Sequence, residues 1–406
     1  MEYAIINTCD WGSTGRIAVG LLNHLNRKSK KAIFCYGRGA NIDNEERYRF
    51  STKIEVLIHA LYTNITGHLN GASVLATKRL IRRLRKEKVR SIFLVNLHGK
   101  IINERLFFEY LVHDRINVVY IMADESAFLG NCTYRNGCNR YKEGCKGCQM
   151  INRFQRLFNP HVSAKAFSYK QSLYSKLNIV FIAPEFVINS GAESPLLKNQ
   201  NTRIVDEAIN VKVNCPRETN SLRKQLGIGA DKIIIGCVAP YGAKHKRKGV
   251  EYYISAAKNL EQDERFVFIH VGYLISEKSG LPKNYIPIGF VDNQEKLACY
   301  YSLFDVFVFP SVEDTMPNAC LEALACGTPL VCFNISGMPF LGDDSVLTLV
   351  DAYDTDKLSK AIISTKKKST TIINTCREYA LKRYDSIKYF EQIEAIMEDL
   401  TDNKNL

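Results

Sequence analysis

Three stretches and one cysteine cluster gather the side chains that could do chemistry. The first runs Pro310-Ser311-Val312-Glu313-Asp314-Thr315-Met316-Pro317-Asn318 and continues to Gly327-Thr328-Pro329. An acidic pair follows the end of an apolar run, Pro317 stands at a helix start, and Glu322 falls on a helix of otherwise small, apolar residues. A carboxylate on such a face is costly unless it has a partner. The vicinal hydroxyls of a ribose or hexose would serve, and so would a structural salt bridge. The second stretch, Lys244-His245-Lys246-Arg247-Lys248-Gly249, places five basic or potentially basic side chains between a strand and a helix. Arginine offers forked hydrogen bonds and lysine a point charge, which suits a diphosphate; a solvated loop is the plainer reading. The third, Gly12-Ser13-Thr14-Gly15, joins the first strand to the first helix. Glycines let backbone approach a ligand and a helix N-terminus favours anions, although a turn capped by Ser13 or Thr14 would look the same. The spacing is not G-x-G-x-x-G, so a dinucleotide fingerprint is absent. Finally, Cys132, Cys138, Cys145 and Cys148 form C-x5-C-x6-C-x2-C, with Gly137, Gly144 and Gly147 to turn the chain. Four thiolates suit a structural zinc. Buried thiols or two disulfides are the alternatives.

These residues need elements to hold them. Short apolar runs alternate with amphipathic stretches, which is the α/β pattern. Strands are expected at residues 3–6, 32–35, 92–95, 118–122 and 179–183, with helices at 74–90, 104–112 and 162–177. A stretch rich in Asn, Ser, Pro and Gly, 189–230, reads as an interdomain connection. A second cycle follows, with strands at 233–238, 266–271, 306–309 and 329–333 and helices at 250–260, 294–303 and 317–326. The 406 residues exceed what one core usually supports. The expected domains are therefore 1–188, carrying the Cys-rich insert 131–148, then 189–385, then a C-terminal helix over 386–406 that crosses back to the first. Ligands in open α/β sheets bind outside the carboxyl ends of the strands, so a cleft between two such halves is the expected site.

A net charge of +13 calls for an anionic partner: nucleic acid, a membrane surface or a phosphorylated ligand. The N-terminus reads as a strand rather than a signal peptide, and no run of 18 apolar residues is present. With 13 cysteines, a reduced, cytoplasmic setting is expected.

The segment from Pro310 to Pro329 resembles the signature of family 4 retaining glycosyltransferases of the GT-B fold, particularly a subgroup that builds bacterial surface polysaccharides. The family's E-x7-E spacing is met from Asp314 to Glu322, with Glu313 one residue further off. The resemblance extends to the Gly12–Gly15 loop, Asn96-Leu97-His98-Gly99, the Cys-rich segment, Arg247-Lys248-Gly249, Ile288-Gly289-Phe290-Val291-Asp292 and Tyr300-Tyr301-Ser302. It implies a fold of two Rossmann-like, doubly wound domains facing a central cleft. It gives Glu322 the donor ribose, and gives Asp314 or Glu313, with Met316, Pro317 and Asn318, the donor sugar. Lys248, helped by Arg247, would neutralise the donor diphosphate. Gly12, Thr14 and Gly15 would close on phosphate or acceptor. No catalytic metal is expected.

Two departures from the family pattern stand out. Many relatives place His before Asp where this chain has Ala123-Asp124, so Asp124 or His98 would serve the acceptor instead. Many also carry an Arg soon after the first strand of the second half, where residues 239–242 offer none, leaving Lys244 or Arg247 to substitute. The resemblance implies a UDP- or GDP-sugar donor and a growing, lipid-linked glycan acceptor. The run 78–90, from Lys78 to Arg90, holds eight basic residues and one acid. It reads as a solvated helix face or as a dock for the anionic cytoplasmic face of the inner membrane. Three rivals remain: a non-hydrolysing sugar-nucleotide epimerase, an inactive enzyme of the same fold, and a zinc-stabilised nucleic-acid-binding protein. The last lacks aromatic-interleaved basic stretches, so no nucleic acid is expected.

Overall fold

A computed structural model describes residues 2–240, 246–273 and 280–402. Two parallel sheets emerge from the alternation of apolar runs and helices. In the first unit, β1 (Tyr3–Cys9), β2 (Ala32–Arg38), β3 (Arg47–Arg49), β4 (Ser91–Leu94), β5 (Asn117–Ile121), β6 (Asn178–Ala183) and β7 (Asn201–Ile204) pair in the order β3-β2-β1-β4-β5-β6-β7. The helices there are α1 (Gly12–Arg27), α2 (Lys53–Thr66), α3 (Val74–Lys86), α4 (Glu104–His113), α5 (Arg153–Phe158), α6 (Val162–Tyr174) and α7 (Glu185–Ala192). Both faces of the central strands are covered, so Ile5, Ile6, Ile92, Phe93, Val118 and Val119 are all inaccessible. That explains why these strands read as continuous apolar runs rather than alternating ones.

In the second unit, β8 (Ile233–Val238), β9 (Phe266–Val271), β10 (Tyr285–Gly289), β11 (Val306–Phe309), β12 (Leu330–Phe333) and β13 (Leu347–Val350) follow the order β10-β9-β8-β11-β12-β13. Its helices are α8 (Asn220–Gln225), α9 (Val250–Asn259), α10 (Gln294–Leu303), α11 (Asn318–Ala325), α12 (Thr355–Ile363) and α13 (Thr370–Arg383). The last helix, α14 (Ser386–Asp402), belongs to the first unit from Ile387 onward. In each sheet the strand order reverses once, beside β1 and β4 in the first and beside β8 and β11 in the second. The carboxyl ends at such a switch point form the natural crevice for a ligand.

The boundary between the units falls at Val205/Asp206 rather than at 188/189. Position 188 lies inside α7, and the chain then adds β7 to the first sheet, parallel to β6. Val205 N–H still donates to Ala183 O at 2.9 Å. The polar stretch 189–230 thus contains the junction, and it also carries β7 and α8. The helix expected over 74–90 ends at Lys86, because Lys88 takes a left-handed φ of 54°.

Candidate functional site

The second unit gathers charge at its switch point. Lys244 and His245 lie outside the described residues. The chain resumes as a single helical turn, Lys246–Lys248, ahead of α9. Gly249 joins the two with a φ of 63°, and a Cβ there would sit 1.8 Å from Pro310 O. Only glycine lets the loop after β8 lie this close to the end of β11. Val312 N–H and Ser311 Oγ both donate to Arg247 O at 2.8 Å. Thus fastened, Arg247 Nη1 donates to Glu313 O at 2.8 Å and stands 3.2 Å from Asp314 Oδ2. Lys248 Nζ pairs with the same carboxylate oxygen and lies 5.0 Å from the centre of the Phe309 ring. Of the two acids, Asp314 is the buried one that holds both cations, and Glu313 is half-buried.

The chain then turns into α11. Pro317 stands at its N-cap and offers no side-chain cap, although Cys320 N–H donates to Pro317 O at 2.9 Å. Asn318 Oδ1 is buried and makes no hydrogen bond. One turn on, Glu322 is only 6% exposed, and Tyr301 Oη on α10 donates to its Oε2 at 3.0 Å. Burial, together with the Glu322 charge, pushes the Tyr301 hydroxyl far above its usual range, so it remains a donor. Met316 has another role: its side chain is buried and its sulfur accepts Glu207 N–H at 3.2 Å. That side chain is committed to packing, which leaves the expected sugar contact to the backbone of the Met316–Pro317 turn.

In the first unit, polar side chains collect at the ends of β1, β4 and β5. α1 starts at Gly12 and its N-cap is Trp11, with no side-chain cap. Neither Ser13 nor Thr14 caps the helix; Thr14 Oγ1 instead accepts Asn7 Nδ2 at 3.3 Å. A Cβ on Gly15 would come 2.7 Å from the Asp10 carbonyl carbon, so this glycine lets the helix start lie against the strand end. Asn96 Oδ1 accepts Thr8 Oγ1 at 3.2 Å and His98 N–H at 2.9 Å. His98 Nδ1 stands 2.7 Å from Asp124 Oδ2, outside good hydrogen-bond alignment, so the contact is chiefly ionic. Ser126 N–H donates to Asp124 Oδ1 at 2.8 Å. Burial alone would raise the Asp124 carboxyl, but His98 and Ser126 outweigh it and hold the acid below its usual range. Burial would likewise lower His98, yet the Asp124 charge wins and raises it. Asn7 and Thr8, polar residues near the end of an otherwise apolar strand, are a feature of the sequence that points to this network and that sequence reading passed over. Sequence spacing does not reveal the tie through Asn96.

The insert 131–148 is fastened by Arg135, whose guanidinium lies 2.7 Å from the buried Glu125 carboxylate. Its four cysteines are free and line one small cavity of about 20 Å³. The Cys132 thiol and the Cys148 sulfur are hydrogen-bonded. Among the described residues, no three His, Cys, Asp or Glu side chains are grouped closely enough to hold a metal ion.

The basic run 78–90 is only partly available to an outside partner. Arg79 pairs with Glu55, Arg83 with Asp43 and Glu87, and Arg85 with Asp114. Lys78, Arg82, Lys86 and Lys88 are exposed. Among the described residues, no helix is long and apolar enough to cross a membrane.

Residues 232–367 match the family model described as Glycosyl transferases group 1. The putative teichuronic acid biosynthesis glycosyltransferase TuaC of Bacillus subtilis is 30% identical over 142 residues, 35% of each chain. The putative colanic acid biosynthesis glycosyl transferase WcaC of Escherichia coli is 23% identical over 270 residues, 62% of each. The chain thus spans about a third to just under two thirds of the length of these curated relatives. HepE of Anabaena, solved in complex with UDP, superposes with a TM-score of 0.66 at 14% identity, covering 98% of this chain and 100% of that one. Residues 232–367 are therefore similar to the glycosyl transferases group 1 domain, in a chain whose fold class is GT-B.

Proposed function

We propose that the protein is a retaining glycosyltransferase that moves a sugar from a UDP- or GDP-linked donor to a growing, lipid-linked bacterial surface glycan. One observation carries the reading: Arg247 and Lys248 converge on Asp314 at the carboxyl ends of β8 and β11, the switch point of the family-matched unit. Arg247 and Lys248 receive the donor diphosphate, and Asp314 orients both cations and, with the Met316–Pro317 turn and Asn318, meets the donor sugar. Glu322 accepts from the ribose hydroxyls. Catalysis is mainly electrostatic: the bond from the anomeric carbon to the phosphate oxygen breaks, and the two cations stabilise the departing nucleoside diphosphate. The acceptor hydroxyl attacks on the face just vacated and its proton leaves with the diphosphate, so configuration is retained. In the first unit, the His98–Asp124 pair and the uncapped start of α1, with Gly12, Thr14 and Gly15, serve the acceptor side. The enzyme works at the cytoplasmic face of the inner membrane.

A thermal-shift screen with UDP, GDP and their sugars should show stabilisation by one nucleotide class, since a ligand at 100 times its Kd stabilises by about 2.7 kcal/mol. Mass spectrometry of the reaction should then find free nucleoside diphosphate and a lengthened acceptor. An isomeric sugar nucleotide with no transfer would establish the epimerase reading, and no stabilisation by any nucleotide would remove the donor site.

For the cysteine cluster the proposal is a structural zinc, supported by four thiols lining one cavity. The sulfurs are not grouped as a ligand set, so a bound ion would have to gather them. Metal analysis of purified protein should find one equivalent of zinc, and Cys145→Ser should lower thermal stability; protein free of zinc ends this reading.

A further inference from the structure

Helix α2 is amphipathic the wrong way round for a soluble surface. Its inward face buries His59 and Thr63, while Ile54, Leu57, Ile58 and Leu61, spaced i, i+3, i+4, i+7, are each at least 60% exposed. The neighbouring α5 repeats the pattern: it buries no side chain and leaves Phe154, Leu157 and Phe158 exposed, Leu157 by 77%. The two helices are joined, because Gln155 Nε2 donates to Thr63 O at 3.4 Å and Asn64 O at 3.3 Å. A contiguous apolar surface of this kind marks an interaction site.

Its rim has one sign of charge. Lys53, Arg153 and Arg156 are exposed beside the apolar row. The single acid on α2, Glu55, is ion-paired with Arg79 of α3, and His59 Nδ1 lies 2.7 Å from Ser73 Oγ at the α3 start. α3, tied to α2 by those two contacts, exposes Leu75, Lys78, Arg82 and Lys86 along one side of its own. Facing a second copy of itself, such a rim would bring like charges together; facing anionic headgroups, it is complementary. A recess of about 660 Å³ opens at the same edge, sharing Lys53 and Leu57 with the face and lined further in by Asp10, Trp11, Arg38 and Arg49. The Nε–H groups of Arg38 and Arg49 are buried and without a hydrogen-bond partner.

We propose that the outer faces of α2 and α5 dock the first unit onto an anionic phospholipid bilayer. The apolar row sinks to the acyl boundary, and Lys53, Lys78, Arg82, Arg153 and Arg156 lie at the headgroups. At 14 residues, α2 is about 20 Å long and lies in the interface plane rather than across it. The recess beside it sets Lys53, Arg38 and Arg49 against the one acid Asp10, a net positive lining for a phosphate arriving along the surface. This docking does not depend on the transfer reaction proposed above.

Flotation of the full chain with phosphatidylcholine vesicles, with and without phosphatidylglycerol, tests it. Wild-type protein should float with the phosphatidylglycerol vesicles, and Leu57→Glu/Leu157→Glu should bind at least about tenfold more weakly even at low salt. Lys78→Glu/Arg82→Glu should weaken binding and reduce its salt dependence. All four positions are exposed, and unchanged circular dichroism and melting show that the variants fold; Ile58→Ser/Phe154→Ser is a milder apolar pair should the first fail that control. Three results overturn the proposal: wild type that binds neither vesicle, apolar variants that bind as wild type does, or wild type that sediments as a dimer which Leu57→Glu/Leu157→Glu converts to monomer.

Discussion

Glu322→Gln is expected to leave the fold intact and weaken nucleotide binding by about 10- to 100-fold. Glutamine has the shape of glutamate and keeps a side-chain oxygen to accept the Tyr301 hydroxyl, the bond that fixes Glu322 on α11. What it loses is charge. Hydrogen bonds to an ionised acceptor contribute about 1.5–3 kcal/mol, against about 0.5–1.5 for neutral pairs. Two ribose hydroxyls donating to one carboxylate would therefore forfeit roughly 1.5–3 kcal/mol together. Titration calorimetry with UDP and GDP reads the loss, and melting without nucleotide reads the fold. Tyr301→Phe is the companion: it removes the donor that orients the carboxylate, so nucleotide affinity should fall while the charge remains. A Glu322→Gln protein that binds nucleotide as tightly as wild type would reduce Glu322 to a structural acceptor for Tyr301 and would remove the ribose from the site.

Residues whose partners are close in sequence were legible. The strand expected at 233–238 is β8 to the residue, and the helix expected at 250–260 is α9 with one residue fewer. Apolar runs buried on both faces announce themselves, and so does a glycine that must lie against a neighbouring strand. The spacing left Asp314 and Glu313 both open; of the two, Asp314 is the buried one, and it is ion-paired with Arg247 and Lys248. Helix α2 was invisible for a physical reason. Pattern reading assumes that apolar residues turn inward, and in α2 they turn outward while His59 and Thr63 turn in. Long-range ion pairs were equally hidden. The eight basic residues of 78–90 looked like one charged face, yet Asp43, Glu55 and Asp114 hold three of them from elsewhere in the chain. His98 and Asp124 were separate candidates; that they form one pair follows from β4 and β5 being neighbours in the sheet.

The same kind of hidden contact governs how α14 stays on the first unit, and it makes acid sensitivity measurable. Glu394 is buried, with its Oε2 2.8 Å from His24 Nε2 and 2.7 Å from Lys28 Nζ, and Lys30 Nζ 2.5 Å from Oε1. Burial alone would raise its carboxyl, but hydrogen bonds from Lys28, Lys30 and His24 outweigh that and bring it down to about 2. A carboxyl lowered on folding contributes stability that is complete above the unfolded value of about 4.5 and disappears as pH falls toward the folded value. Glu394→Gln should therefore cost on the order of 2 kcal/mol at pH 7. The gap from wild type should hold down to about pH 5 and narrow steadily below it. Because α14 returns from the second unit to lie beside α1, where the Phe390 ring sits against Gly20, the loss should appear first as faster hydrogen exchange along α14. Exchange in β8, β9 and β11 should be unaffected. A variant whose deficit is the same at pH 3 and pH 7 would show that Glu394 stabilises the helix by shape alone, since only an ionised carboxylate draws Lys28 and Lys30 onto one side chain.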